Sequence, residues 1–101
     1  MAKLKLILTK EAYADFESAA LYYESKTIGL GLKFEKEISE LLLTIKDNPM
    51  LFPVKFNHIR ESVVKKFPFV INYEISEKEI IVLAIFNTHQ NPVKKTKRSK
   101  K

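Results

Sequence analysis

Phe69-Val70-Ile71-Asn72-Tyr73-Glu74-Ile75, then Ser76-Glu77-Lys78, then Glu79-Ile80-Ile81-Val82-Leu83-Ala84-Ile85-Phe86, is the stretch whose reading decides the fold. Two runs rich in β-branched and aromatic residues flank a short polar connection, the pattern of two strands joined as a hairpin. Residues 80–86 are almost wholly apolar, so the second run should be a central strand buried on both faces. Pro68 cannot donate to a ladder and should fall at a strand start or a bulge. Immediately upstream, Val54–Phe56 and residues 59–65 read as further short strands.

Before residue 50 the period changes from strand to helix. Phe34, Ile38, Leu41, Leu42 and Ile45 form an apolar stripe at helical spacing. The stripe ends at Asp47-Asn48-Pro49, because proline cannot continue a helix and restricts the residue before it. An earlier helix is predicted over residues 10–26, with Thr9 as N-cap and Glu11 near the positive end of the helix dipole. Ala12, Phe16, Ala19, Ala20 and Tyr23 share one face of it, and Asp15, Glu17 and Glu24 fall mostly on the other. At helical spacing at least one of Tyr22 and Tyr23 should be core. Thr27-Ile28-Gly29-Leu30-Gly31 interrupts the two helices and holds both glycines of the chain, where positive φ or close backbone approach is easiest. So short a loop predicts antiparallel packing of the two helices. Residues 3–8, Lys-Leu-Lys-Leu-Ile-Leu, begin with alternation and read as a first strand. The expectation is an α+β domain of order β-α-α-β-β-β. A helical hairpin covers one face of a small, mostly antiparallel sheet, and the first strand pairs non-locally.

Composition narrows the function classes. The 101 residues suit one domain, and 46 % hydrophobic content suits a globular one. The net charge of +6 is localised: Lys94, Lys95, Lys97, Arg98, Lys100 and Lys101 carry it, and the rest of the chain balances acids against bases. The division expected is a body over residues 1–92 and a basic, disordered tail over 93–101. Such a tail contacts phosphates or an acidic partner, or serves only as a solubilising terminus. The absence of cysteine excludes disulfides and Cys-ligated metals. Leu6-Ile7-Leu8 is too short for a signal-peptide core or a membrane span, so a cytoplasmic location without membrane contact is expected. Two histidines without an acidic cluster at ligand spacing argue against a metal site. No glycine-rich phosphate loop or nucleophile elbow is present, and no cofactor is expected.

Several local patterns fall in a recognisable order: Ala12, Asp15, Phe16, Ala20 and Tyr22-Tyr23-Glu24; Gly29-Leu30-Gly31-Leu32-Lys33-Phe34-Glu35; Ile45-Lys46-Asp47-Asn48-Pro49; Phe52-Pro53; Ile59-Arg60; Phe67 through Ile75; Ile81 through Phe86; and Asn91-Pro92. Over roughly residues 4–92 the chain resembles the RelE/ParE toxin superfamily. The resemblance implies a bacterial type II toxin, active in growth inhibition and plasmid stabilisation and neutralised by a cognate antitoxin protein. One branch of that superfamily cuts mRNA on the ribosome; the other poisons DNA gyrase and is not a nuclease.

Metal-free RNA cleavage needs a base for the 2′-hydroxyl, an acid for the leaving oxygen and a cation for the phosphate. In the nuclease branch an Arg commonly lies three residues before the tyrosine that here is Tyr73, and that position is Val70. After the last strand the family often carries His, Arg or Tyr, where this chain has Asn87-Thr88-His89-Gln90. The Phe69-to-Tyr73 run is more similar to the ParE branch. What remains for catalysis or target contact is Arg60, His89, Lys65 and Lys66, with Lys94, Lys95, Lys97 and Arg98 as tail contacts to nucleic acid or target. Arg60, the only arginine outside the tail, reads either as a phosphate or target contact or as an ion pair with a helix acid. His89 reads as a ring titrating near neutral pH or as a solvated turn residue. Lys65-Lys66 reads as a catalytic pair or a solvated strand end, and His58 as a turn residue. Three functions are therefore expected in order: a ParE-like toxin that binds a target such as gyrase, a ribosome-dependent mRNA endonuclease, and a non-toxic binding module whose tail grips nucleic acid. All three predict an antitoxin-like partner, a homodimer or a toxin–antitoxin hetero-oligomer, since a small domain with this much apolar surface often shields part of it.

Overall fold

The computed structural model of the chain describes residues 4–89. In order these are β1 (Lys5–Leu8), α1 (Lys10–Lys26), α2 (Leu30–Asp47), β2 (Val54–Phe56), β3 (Ile59–Val63), β4 (Phe69–Ile75) and β5 (Glu79–Asn87). Four strands follow the helices, at the four runs read as strands, where the order β-α-α-β-β-β counts three. The strands form one sheet in the order β1-β5-β4-β3-β2. β1 lies parallel to β5, and every other pairing is antiparallel. The first strand therefore pairs with the last, as its non-local role required.

α1 begins where Thr9 leaves the sheet. The Thr9 hydroxyl accepts from the Ala12 amide at 3.0 Å, capping the helix, while its own amide donates to the Val82 carbonyl at 3.0 Å. β1 pairs with β5 only as far as Val82. Beyond it, a bulge opposite Asn72 and Tyr73 turns the strand, and Asp15 on α1 takes over. Its carboxylate accepts from the Ile85 amide at 3.0 Å, so a helix side chain satisfies an amide that β1 is too short to reach. Asp15, expected on the polar side of α1, thus faces the sheet edge.

The helix connection is Thr27-Ile28-Gly29, and α2 starts at Leu30, so Gly31 belongs to the first helical turn and not to the loop. The two glycines divide the work. Gly29 adopts φ 88°, in the left-handed region. Gly31 provides the close approach: a Cβ there would lie 2.6 Å from the Ala20 carbonyl of α1. Glu24, the second residue expected to point away, reaches across to accept from the Gly29 and Gly31 amides, both at 2.9 Å. A carboxylate from α1 therefore caps the N-terminus of α2 and complements its dipole.

Both helices pack on one face of the sheet. Phe34 is fully buried there and contacts Phe16, Tyr23, Phe67 and Phe69 at centroid distances of 6.2, 5.4, 5.2 and 5.0 Å. Ile38, Ile45, Ile71, Ile80 and Val82 complete the interior. Tyr23 packs against this core and Tyr22 stays exposed, which settles which tyrosine turns inward. The opposite face carries a smaller cluster of Val70, Ala84 and Phe86. β3 ends at Val63, two residues before the expected end. The chain then turns through Val64, whose amide donates to the Phe69 carbonyl at 2.9 Å, and through Lys66 at φ 71°, a conformation no strand continues. Pro68 sits just before β4, and its carbonyl accepts from the Thr88 amide at 2.8 Å.

Candidate functional site

The sheet register sorts the site residues by level and by face. Arg60 pairs with Tyr73 across β3 and β4, and Tyr73 with Val82 across β4 and β5. Arg60 donates to the Phe52 carbonyl at 2.6 Å and to the Met50 carbonyl at 3.4 Å, and its second nitrogen lies 3.4 Å from the Met50 thioether. Tyr73, fully buried, donates its hydroxyl to the Pro49 carbonyl at 2.7 Å. These neighbours on adjacent strands thus fasten the segment that returns from α2 to β2. The Pro49, Met50 and Phe52 carbonyls lie in the irregular segment after α2, and Tyr73 and Arg60 satisfy them. Arg60 remains half-exposed, with its guanidinium anchored from one side.

Burial raises the Tyr73 hydroxyl above its ordinary value of 10.0, and the Arg60 charge beside it pulls the other way. Burial, followed by the neighbouring Tyr22, raises Tyr23 in the same direction. A raised phenol means that the folded chain holds its proton where the unfolded chain has lost it. That stabilisation is complete below pH 10 and is lost as pH rises through the folded value. Tyr73→Phe should remove the Tyr73 share of this alkaline decline, and should cost about 1 kcal/mol at neutral pH through the lost bond to Pro49. Urea unfolding of both proteins between pH 7 and 11 checks this: equal alkaline slopes would show that Tyr73 is not the titrating group.

His89, Lys65 and Lys66 lie at the other end of the strands. Asn87 pairs with Phe69, four residues along β4 from Tyr73, so the two levels are about 13 Å apart at strand spacing. The His89 amide donates to the Asn87 side chain at 2.8 Å in an exposed turn. Lys65 is exposed, and the Lys66 ammonium lies 3.6 Å from Glu37 of α2. The bond from the Thr88 amide to the Pro68 carbonyl ties the segment before His89 to the β3–β4 turn that carries Lys65 and Lys66, and Arg60 lies at the opposite strand end. Val70 is 4 % exposed and faces away from Tyr73, so the position of the absent arginine lies on the face opposite Arg60. Lys94, Lys95, Lys97 and Arg98 lie outside the described residues, as does the boundary expected at residue 92. His58 sits in the β2–β3 turn and its Nε2 is 2.6 Å from Glu74.

Among the described residues no group of His, Cys, Asp or Glu could hold a metal ion. No helix of the described residues is long and apolar enough to cross a membrane. The structural roles of Asp15, Glu24 and Tyr73 escaped sequence reasoning. Each depends on a partner that only the packed helices or the strand register supply.

The fold is a helical hairpin on one face of a five-stranded mixed sheet. A solved chain titled "Chromosomal ParDE TA system from P. aeruginosa" shares it, with a TM-score of 0.75 and 23 % identity over 86 % of this chain and 98 % of that one. No curated protein sequence matches. The family described as "ParE toxin of type II toxin-antitoxin system, parDE" matches residues 6–92. The chain belongs to this ParE toxin family of type II toxin–antitoxin systems, and such membership implies an antitoxin partner.

Proposed function

We propose that this ParE-family chain acts by binding a macromolecular target such as DNA gyrase, without cutting RNA, and that a cognate antitoxin neutralises it by direct contact. The observation that carries this reading is the separation of Arg60 from His89. An RNA-cleaving site needs a phosphate-stabilising cation within reach of the proton-transferring groups. Here the body's one arginine is anchored to backbone carbonyls at one end of the strands and the turn histidine after β5 lies at the other, while Lys66 in the β3–β4 turn is paired with Glu37 of α2. The gyrase target follows the branch that the Phe69-to-Tyr73 run resembles.

Induced expression of the chain alone, followed by pulse labelling, tests the reading. DNA synthesis should fall before protein synthesis. An Arg60→Ala/His89→Ala double variant should remain toxic to within a few-fold, provided it accumulates to the same level. Translation stopping first, together with full loss of toxicity in a stably folded double variant, would restore the endonuclease reading.

A further inference from the structure

The sheet face turned away from the helices plays no part in the proposed function. An antiparallel sheet with one solvated face ordinarily carries polar residues on it. Here the register sets Val63 beside Val70 and Val70 beside Phe86 on that outer face. Val70, Ala84 and Phe86 are buried there, although both helices pack on the other side. Val63, at the margin of the cluster, is 70 % exposed.

A polar side chain lies among these residues. Asn72 is 2 % exposed and pairs with Glu61 of β3 and Ala84 of β5. Its amide nitrogen donates to the Glu61 carboxylate at 3.0 Å, and its Oδ1 has no hydrogen-bond partner among the described residues. A buried acceptor left open is costly, so the position asks for a donor. Two residues along β4, on the same face, Glu74 adds a second carboxylate, 2.6 Å from the exposed ring of His58. The face thus offers an open acceptor and two carboxylates over an apolar floor. That surface fits a segment of N–H donors and cations.

The chain itself supplies such a segment. Residues 90–101 read Gln-Asn-Pro-Val-Lys-Lys-Thr-Lys-Arg-Ser-Lys-Lys, six cations without an acid. The bond from the Thr88 amide to the Pro68 carbonyl leads the chain across the start of β4. From the level of Phe69, Asn72 and its neighbour Glu61 lie about 10 Å along the strand, and Glu74 about 17 Å. Five extended residues beyond His89 span about 16 Å and eight about 26 Å, enough to bring Lys94 to Glu61 and Lys97 to Glu74.

We infer that the basic segment 90–101 docks back along the outer face of its own sheet. Its cations lie against Glu61 and Glu74, an N–H of the segment donates to Asn72 Oδ1, and Val93 covers Val63 and Val70. The tail is then a strap on the body, and its charge is engaged before any nucleic acid or partner is met. The inference does not depend on which target the chain binds, since its test involves the purified chain alone.

The sequence holds no cysteine, so Ser99→Cys gives a single attachment point for a nitroxide on the full, ¹⁵N-labelled chain. At about 0.05 M salt the amide signals of Glu61, Asn72 and Glu74 should lose more than about half of their intensity, and those of Leu21 and Leu32 on the helices should keep theirs. At about 0.5 M salt most of the loss should be restored, because exposed ion pairs are screened. Glu61→Gln/Glu74→Gln should restore it at low salt as well. A glutamine at 61 still accepts from Asn72, so the variant removes charge and keeps the bond. Glu17→Gln/Glu35→Gln, an equal charge change on the helices, should leave the loss in place. Signals kept everywhere, loss strongest on the helices, or equal effects of the two variant pairs would overturn the inference. So would a salt-independent loss in the parent chain, a measurement that needs neither glutamine variant to fold. Equal loss in a mixture of nitroxide-bearing ¹⁴N chain with ¹⁵N chain free of nitroxide would assign the segment to a second copy and overturn it too.

Discussion

Phe34→Ala is expected to destabilise the chain by about 3–5 kcal/mol, the range for removing a fully buried phenyl ring. A domain of this size has about 5–15 kcal/mol to lose, at roughly 4–8 °C of melting temperature per kcal/mol. The variant should therefore melt some tens of degrees lower or fail to fold at 37 °C. The position of the ring accounts for the size of the effect. Phe34 contacts Phe16 and Tyr23 on α1, Phe67 in the β3–β4 turn and Phe69 at the start of β4, so it joins both helices to the sheet. Four aromatic neighbours cannot all move to fill the cavity, because α1, the β3–β4 turn and β4 hold them. Phe34→Leu should cost much less, since it keeps most of the volume. Thermal unfolding by circular dichroism measures both; a loss below about 1 kcal/mol for Phe34→Ala would mean that the ring is not the hub.

Gly31→Ala gives a prediction whose sign is the test. Helix propensity alone favours alanine by about 0.5–1 kcal/mol at a helical position. The new Cβ, however, would lie 2.6 Å from the Ala20 carbonyl and 2.9 Å from a Glu24 carboxylate oxygen. The first is backbone and cannot rotate away. The second is the oxygen that accepts from the Gly31 amide, so displacing it loosens the cap of α2. Overpacking of this kind costs about 1–3 kcal/mol, which outweighs the propensity gain. Denaturant unfolding should show a net loss. A net gain would mean that the helices can part at this crossing, and that the glycine is there for some other reason.

These two residues also mark what the sequence made legible. Phe34 lies on a stripe with period 3.6, and that stripe defined α2 and its buried face without any tertiary information. The strand from residue 79 could be read as central because it lacks an alternating polar face, and the structure places it between β1 and β4. The end of α1 at Lys26 was legible, but the start of α2 was less visible, since a glycine pair signals either a loop or a close helix crossing. Gly29 proved to be the first and Gly31 the second. Asp15 and Glu24 were hidden for a more general reason. Helical periodicity assigns a carboxylate to the polar face, but a carboxylate near a boundary can bend inward when backbone amides wait there unpaired. The amides in question belong to Ile85, Gly29 and Gly31, and nothing close to Asp15 or Glu24 in sequence announces them.

The candidate residues could be chosen from the sequence by type, but their arrangement could not. Arg60, His89, Lys65 and Lys66 were identifiable as the chemistry-bearing groups of the body, and strand alternation alone could not tell that Arg60 and His89 sit at opposite ends. The antiparallel register from β3 through β5 separates them. Arg60 had two expected roles, a target contact or a partner for a helix acid. The structure adds a third element, the carbonyls of Met50 and Phe52, which hold the return segment against β3. This hold leaves the guanidinium half-exposed, so a target contact through Arg60 would be made by a preorganised group.

The most direct test of the account is a gyrase assay with the purified chain, run beside a ribosome-bound mRNA cleavage assay with the same preparation. The account predicts that DNA supercoiling by gyrase is inhibited and that mRNA on the ribosome stays intact. Intact gyrase activity together with cut mRNA would contradict it, and would mean that the separated Arg60 and His89 are not the groups that cleavage requires.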